Sequence, residues 1–412
     1  MLYGCIGEKL GHSFSKEIHN MIGTYSYELK EIPSDSLDDF MRAKDFAGIN
    51  VTIPYKERVI PHLYEIDEGA QAIGAVNTIV KKSGRLYGYN TDFYGMEKLL
   101  AHAKISVQGK KVAILGTGGT SKTARAVVRH LGASEILIVS RRRENGAILY
   151  DDLYQKHKNV EIIINTTPVG MFPNADLSPL DLSFFKKLCG VADAVYNPLC
   201  TRLICQAKKL GIPAEGGLYM LVAQAVRASE IFMNEKYDEA LTESIYKKIL
   251  SQKRNIVLIG MPASGKTSVG KQIAEKLGRP FTDTDELIVT SGGESIPTIF
   301  QKYGEKEFRR RESAAIRHVS TLIGNVIATG GGAVINQINV KNLMQNGYIF
   351  FLDRSLEKLI PTEDRPLGST KEAIEKRYRE RYDIYCASCD CHIDADGDID
   401  AVANTIIEEF LK

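Results

Sequence analysis

The chain has 412 residues, 44% apolar and 25% charged, with 53 Lys and Arg against 51 Asp and Glu for a formal net charge of +2. A domain usually runs ~100–200 residues, so this length admits two or three, and the ordinary globular composition excludes a mostly disordered chain. The charge balance gives no sign of a nucleic-acid or membrane partner, and no apolar run reaches the ~18 residues that cross a bilayer. The opening MLYGCIGEKLGHS lacks a basic segment followed by an apolar one, so no secretory signal is expected. The 7 cysteines, an odd number and unclustered except near the C-terminus, fit reduced thiols in a cytoplasmic protein.

Short apolar runs alternate with helical patterns along the chain. Lys110–Leu115 reads as a strand feeding a glycine turn, Gly116-Thr117-Gly118-Gly119-Thr120-Ser121. Ile136–Val139, Ile162–Ile164, Ile256–Ile259 and Tyr348–Leu352 are strand-length runs with little polar alternation, as buried parallel strands require. The expected fold class is α/β, doubly wound, more than once over. Residues 234–254 are charged, with Leu241, Ile245 and Ile249 at helical spacing, and a fresh strand opens at Asn255. This divides the chain into units 1–250 and 255–412, with no Gly/Ser- or Pro-rich linker. The turn at 116–121 opens a second α/β half inside the first unit, which predicts two lobes around a cleft.

The first unit carries polar strings at the edges of its predicted elements. They are His12-Ser13-Phe14-Ser15, Asn50-Val51-Thr52-Ile53-Pro54-Tyr55-Lys56, Gly74-Ala75-Val76-Asn77-Thr78 and Gly88-Tyr89-Asn90-Thr91-Asp92, then Asn165-Thr166-Thr167-Pro168, Tyr196-Asn197-Pro198-Leu199 and Gly217 to Gln224. An amide, hydroxyl, Lys or Asp at an element edge is how a polyhydroxylated ligand is gripped. The glycine turn alone is a weak dinucleotide signal. The next strand ends at Ser140, 24 residues beyond Gly116, where an NAD-preferring site shows Asp or Glu. Ser140-Arg141-Arg142-Arg143 instead favours the ribose 2′-phosphate of NADP(H), with a solvated basic loop as the alternative.

Taken in order, these strings resemble shikimate dehydrogenase over residues 1–250. The resemblance implies a Rossmann-type NADP lobe at 101–220 and a substrate-binding lobe at 1–100 with roughly 221–250. It implies that Ser13 and Ser15 bind the substrate carboxylate, that Thr52, Asn77 and Gln224 join the substrate pocket, and that Lys56 and Asp92 form the catalytic pair. Gly116, Gly118, Gly119, Thr120, Ser121, Ser140, Arg141 and Arg142 would hold the dinucleotide, and Asn165, Thr166, Gly217 and Met220 would border the nicotinamide. Lys16 stands where the family usually continues with Pro. Reducing the ketone of 3-dehydroshikimate takes a hydride and a proton, and a Lys oriented by an Asp suits the second task.

In the second unit Gly260-Met261-Pro262-Ala263-Ser264-Gly265-Lys266-Thr267 matches GxxxxGK[ST] between the strand Ile256–Ile259 and a predicted helix Ser268–Leu277. Such a loop cradles phosphates with backbone N–H groups, its Lys reaching the outer phosphates and its Thr holding Mg²⁺. Asp283-Thr284-Asp285 follows a short predicted strand, Pro280–Thr282, and on an extended chain both carboxylates point one way. Phe308-Arg309-Arg310-Arg311-Glu312, Gly330-Gly331-Gly332, Asp364-Arg365-Pro366-Leu367 and Arg377 to Arg381 come next. This constellation resembles shikimate kinase over nearly all of 255–412, an α/β P-loop fold with a parallel sheet.

The second resemblance implies Asp283 and Thr267 near the metal, and Asp285 facing the ring hydroxyls and accepting the proton of the 3-hydroxyl. Arg309 and Arg381 would bind the substrate carboxylate, Gly331 and Gly332 line the ring pocket, and Arg365 act as the lid arginine. Gly260, Ala263, Ser264, Gly265, Lys266, Thr267 and Ser268 would cradle ATP. Phosphoryl transfer depends on positioning and charge stabilisation, and Arg forks suit a carboxylate. The stretch Leu359 to Asp364 is short and lacks a further basic residue that often precedes the lid arginine, as a small lid would. Cys386, Cys389, Cys391 and His392 offer four soft ligands, as zinc or, on the tighter reading of their spacing, as reduced thiols around a strand.

The reading is a bifunctional enzyme using NADP(H), ATP and Mg²⁺ on small-molecule substrates. It admits a homodimer through the dehydrogenase half. Its rivals are a kinase with a retired, ligand-sensing dehydrogenase module, and quinate as substrate of the first half.

Overall fold

The computed structural model describes residues 2–10, 14–23, 25–144, 146–359 and 371–412. The chain divides into two compact units, Met1–Ile249 and Leu250–Lys412.

The first unit holds two sheets. The first sheet comprises β1 (Tyr3–Gly7), β2 (Tyr27–Glu31), β3 (Gly48–Val51), β4 (Glu65–Ile66), β5 (Thr78–Lys82) and β6 (Arg85–Tyr89) in the order β2-β1-β3-β5-β6-β4. β1 runs parallel to β2 and β3, whereas β5 is antiparallel to both β3 and β6. One face buries Ile6, Leu37, Met41, Ile49, Tyr55 and Ile79. The helix Leu218–Met233 packs near the other. A Cβ on Gly48 would sit 2.5 Å from the Phe232 ring, so only glycine lets that ring close on β3.

The second sheet comprises β7 (Lys111–Leu115), β8 (Glu135–Ser140), β9 (Ile148–Leu149), β10 (Ile162–Asn165), β11 (Gly190–Asp193) and β12 (Ala214–Glu215). Its order is β12-β11-β10-β7-β8-β9, and its pairings are parallel. Alternation along β7 sends Val112 and Ile114 into one core with Met96, Leu99 and Val127, and Ala113 and Leu115 into another with Leu153 and Leu203. Burial on both faces is why these strands read as unbroken apolar runs. Each such side chain contributes about 1.5–3 kcal/mol.

The second unit repeats the logic. β13 (Asn255–Ile259), β14 (Phe281–Asp283), β15 (Val326–Ala328), β16 (Gly347–Asp353) and β17 (Cys391–Asp394) form a parallel sheet in the order β14-β15-β13-β16-β17. Val257 and Ile259 face one core, Ile256 and Leu258 the other. Both glycine turns leave the carboxyl end of a strand, β7 or β13, whose two neighbours are reached in opposite directions. This is the crevice where open α/β sheets bind ligands.

Two local expectations change. The helix expected from Ser268 begins at Lys266, so Lys266 and Thr267 are its first residues. The extended Asp283-Thr284-Asp285 is instead a strand-to-helix corner. Asp283 caps the helix Thr284–Gly292, accepting from the Asp285 N–H at 2.9 Å. An Asp that meets free N–H groups ahead of an apolar helix takes the cap in preference to prolonging the strand. Among the described residues no helix is long and apolar enough to cross a membrane.

Candidate active sites

Lys56 follows β3 through a turn in which the Tyr55 N–H donates to the Thr52 carbonyl at 2.9 Å. Tyr55 is fully buried and anchors that turn. Asp92 is the second residue of the helix Thr91–His102, whose cap Asn90 accepts from the Phe93 N–H. The two meet: Lys56 Nζ donates to Asp92 Oδ2 at 2.6 Å, with 21% and 8% of their side chains exposed. Nearby, Asn77 Oδ1 accepts from the Thr91 N–H at 2.7 Å and the Thr78 hydroxyl at 3.1 Å, which turns its amide donors to other use. Gln224 lies on Leu218–Met233, which presses against Thr91–His102 where Gly95 offers no side chain. A Cβ there would be 2.8 Å from the Met220 carbonyl and 3.2 Å from Gln224 Cβ. The buried Gln224 Oε1 has no hydrogen-bond partner among the described residues, a deficit that a ligand hydroxyl would satisfy. Thr52 is half-buried and packs on Gly7, and Ser15 opens the helix Ser15–Ile22. Ser13 and Arg365 lie outside the described residues.

The turn after β7 is built for close approach. Gly116 takes φ +111°, a Cβ on it would strike Thr166 Oγ1 at 2.9 Å, and the Ser121 hydroxyl donates to the Gly116 carbonyl at 2.7 Å. Gly118 caps the helix Gly119–His130, on which Thr120 is the second residue. A methyl on Gly118 or Gly119 would meet nothing within 4 Å among the described residues, which leaves space above a helix N-terminus of the kind that binds anions. At the end of β8 the arginines separate. Arg143 is committed to Asp152 at 2.7 Å, while Arg141 is exposed and Arg142, among the described carboxylates, reaches Glu144 at 3.8 Å. Ser140 Oγ accepts from the Arg142 N–H.

Asn165 and Thr166 hold the loop after β10. Thr166 donates to the Leu115 carbonyl at 2.6 Å. Asn165 is fully buried, donating to Asp193 Oδ1 at 2.9 Å and accepting from Thr167, so its side chain shapes the loop and offers no ligand surface. Burial pushes the Asp193 carboxyl up to about 7 despite hydrogen bonds from Thr201, the Val195 N–H and Asn165. Gly217 permits the next corner, since a Cβ on it would lie 2.2 Å from the Ala194 carbonyl oxygen.

In the second unit the phosphate loop is pre-shaped. Lys266 Nζ donates to the Gly260 and Met261 carbonyls at 3.0 and 2.7 Å, and Ala263 and Gly265 take positive φ of 65° and 89°. Ser264 is buried, and Ser268 follows Thr267 in the first turn of the helix. The Thr267 hydroxyl donates to Asp283 Oδ2 at 2.7 Å, so the two residues expected near a divalent cation already converge. A hydroxyl and a carboxylate are hard oxygen donors suited to Mg²⁺.

Asp285, Arg309, Glu312 and Arg381 gather around Gly330–Gly332. A Cβ on Gly330 would meet Asp285 Oδ1 at 2.7 Å and Glu312 Oε1 at 3.0 Å, and one on Gly332 would meet Arg309 Nη1 at 2.1 Å. Arg381, buried, donates to the Gly331 carbonyl at 3.1 Å, and Tyr385 donates to the same oxygen. Burial and the Arg381 guanidinium pull Arg377 below the ordinary arginine range, with Arg309 adding to the effect. Three guanidinium groups thus feel one another, a concentration of positive charge that an anion would relieve.

Both units resemble known proteins. The family described as shikimate dehydrogenase substrate binding domain matches residues 5–79, and that described as shikimate kinase matches 262–411. The shikimate dehydrogenase (NADP(+)) of Clostridium perfringens is 39% identical over 265 residues, 60% of this chain and 98% of that protein. The chain belongs to the shikimate dehydrogenase family. Among solved structures, shikimate dehydrogenase 1 of Peptoclostridium difficile aligns with TM-score 0.56 and 37% identity over 60% of this chain and 97% of that one. The Thermus thermophilus enzyme, solved with NADP(H) and shikimate, aligns with TM-score 0.54 and 29% identity over 60% and 99%. Residues 262–411 add a shikimate kinase domain, so the chain is a bifunctional enzyme of the shikimate pathway.

Two residues of this dehydrogenase–kinase pair carry no role from their sequence strings. Glu312, only 1% exposed, holds Arg309 Nη1 with both oxygens, and burial raises its carboxyl above the usual range against the pull of that arginine. Asp193 ties β10 to β11. A carboxylate spaced i+3 from an Arg was the signal for the first; nothing local marks the second. The cysteine-rich stretch disperses. Cys386 lies on the helix Lys371–Ser388, Cys391 and His392 on β17, and His392 Nε2 is 2.9 Å from Asp353 Oδ2. Among the described residues no three His, Cys, Asp or Glu groups converge as metal ligands.

Proposed function

We propose that the first unit reduces 3-dehydroshikimate to shikimate with NADPH and that the second phosphorylates shikimate at its 3-hydroxyl with ATP. The observation that carries the first reaction is the Lys56–Asp92 pair, 2.6 Å apart, with Asn77 bonded to the start of the Asp92 helix and Gln224 packed on that helix at Gly95. NADPH, when bound, supplies the hydride. Lys56 then gives a proton to the oxygen that becomes the alcohol, and Asp92 holds the ammonium in place. Asn77 and Gln224 grip ring hydroxyls. Arg141 and Arg142, free of the Asp152 bond that occupies Arg143, take the 2′-phosphate.

The second reaction is supported by Asp285, Arg309 and Arg381 gathered at Gly330–Gly332 in the same unit as the phosphate loop. ATP supplies the phosphoryl group, and magnesium sits with Thr267 and Asp283. Arg309 and Arg381 bind the substrate carboxylate, Asp285 receives the hydroxyl proton, and Lys266 and Arg365 stabilise charge on the phosphates. The substrate lobe spans 1–100 with roughly 221–250, the cofactor lobe 101–220 and the kinase 255–412, in a cytoplasmic setting. Incubating the full chain with 3-dehydroshikimate, NADPH and ATP tests the reading. Loss of NADPH absorbance should be followed by equimolar ADP and shikimate 3-phosphate; no NADPH oxidation, with ADP formed only once shikimate itself is added, would leave only the kinase.

A further inference from the structure

β13 and β16 are parallel neighbours, with Ile259 paired to Phe351, so the phosphate loop and the residues just after β16 leave the same edge of the sheet. The two come close. A Cβ on Gly260 would lie 2.6 Å from the Leu352 carbonyl, and one on Gly265 would lie 3.6 Å from Arg354 Nη1. Gly265 precedes Lys266–Leu277, whose first N–H groups are the anion-binding end of that helix.

Arg354 is half-buried, and its Nε is buried with no hydrogen-bond partner among the described residues. The carboxylates beside it are occupied. Asp353 accepts from Tyr378, Tyr382 and His392, and Asp396 accepts from the Ser355 N–H and pairs with Lys358. A guanidinium brought out of water with a buried donor unmet is costly unless an anion arrives. Lys266, the cation of the phosphate motif, is turned inward onto the loop carbonyls. Arg354 brings a second cation to the same loop, and its planar fork suits phosphate oxygens.

We propose that Arg354 is a nucleotide-phosphate-binding residue of the second unit, pairing with the polyphosphate held by the loop at 260–267. Its neighbour is the loop glycine ahead of the helix N-terminus, which favours phosphate over base stacking. The proposal rests on the kinase reading for its nucleotide but not for its acceptor.

Calorimetric titration of the full chain with ADP, inorganic tripolyphosphate and adenosine tests it, with Lys266→Ala as control. Arg354→Gln should weaken ADP and tripolyphosphate about 10–100-fold, the scale of hydrogen bonds to charged groups. It should leave adenosine and shikimate within about two-fold, and Arg354→Lys should recover part of the loss. ADP and tripolyphosphate binding unchanged in Arg354→Gln while Lys266→Ala loses both would overturn the proposal and leave the kinase reading standing. Equal losses for adenosine and ADP would overturn it in favour of stacking on the base. Selective loss of phosphate binding in a chain that phosphorylates no shikimate would uphold Arg354 and sink the acceptor assignment.

Discussion

Arg309 Nη1 lies 3.0 and 2.9 Å from the two carboxylate oxygens of Glu312, and the guanidinium passes directly over Gly332. A buried acid thereby fixes Nη1, while Glu305 Oε1, on the exposed side, accepts from Nε at 3.3 Å and Nη2 at 3.1 Å. Gly332 sits at φ −101°, a conformation alanine adopts freely. Gly332→Ala should therefore leave stability within about 1 kcal/mol, because the flexible arginine moves rather than the backbone. The kinase KM for shikimate should rise about 10-fold or more, with KM for ATP unchanged. An unaltered shikimate KM would mean that Arg309 does not touch the substrate.

The two chemistries should be separable. Lys56→Ala removes the proton donor seated on Asp92 and should lower dehydrogenase kcat about 10²–10⁴-fold, sparing shikimate phosphorylation. Lys266→Ala should lower the kinase rate about 10²–10³-fold, sparing the dehydrogenase. Paired NADPH and ADP assays read both at once, and a single variant that silences both reactions would contradict two independent sites.

Gly95 lets two helices meet backbone to side chain. Gly95→Ala places a methyl 2.8 Å from the Met220 carbonyl. Overpacking of this kind costs about 1–3 kcal/mol, and it should also shift Gln224 and raise the dehydrogenase KM for shikimate. Denaturant unfolding and steady-state kinetics check the two effects, and wild-type stability would show that the helices separate without strain.

Arg141 and Arg142 should set cofactor preference, and Arg143 should not. Replacing Arg141 and Arg142 with Ala should raise KM for NADP⁺ about 10–100-fold with little change for NAD⁺. Arg143→Ala should leave NADP⁺ within about three-fold, since its partner Asp152 keeps Lys156 at 2.8 Å. Equal losses for both cofactors would place the double substitution in the fold and not at the 2′-phosphate.

The Asp193 carboxyl, raised by burial to about 7 from 3.8, keeps its proton in the folded state where the unfolded chain has released it. Stability should therefore fall as pH rises from about 4 to about 7, by at most ~1.4 kcal/mol per pH unit. Asp193→Asn cannot titrate, so it should gain on the wild type across that range. Unfolding curves at pH 5, 6, 7 and 8 measure this, and a constant difference between the two proteins would rule it out.

Elements with local causes were legible in the sequence. The apolar runs became β8, β10, β13 and β16 because burial on both faces needs no alternation. Both glycine turns fell where a strand hands over to a helix. The remainder depended on contacts distant along the chain. Asp285 left its strand because Asp283 found helix N–H groups to cap. Asn165 was committed to Asp193, 28 residues away, so its polarity served the loop and not a ligand. Arg143 looked like its two neighbours until Asp152 claimed it. Residue type gave the chemistry available; only three-dimensional company decided which groups stayed available.

The glycines at 95, 118, 119 and 332 are small for different reasons, and time should treat them differently. At Gly95 the obstacle is backbone, at Gly332 it is Arg309, and at Gly118 and Gly119 none of the described residues comes within 4 Å. A descendant that lost its reactions but kept its fold would go on selecting against a side chain at 95. It would let 332 drift once Arg309 was idle, and 118 and 119 would be the first to decay. Alanine at those two positions is thus a fossil marker by which a retired copy of this enzyme could be told from a working one.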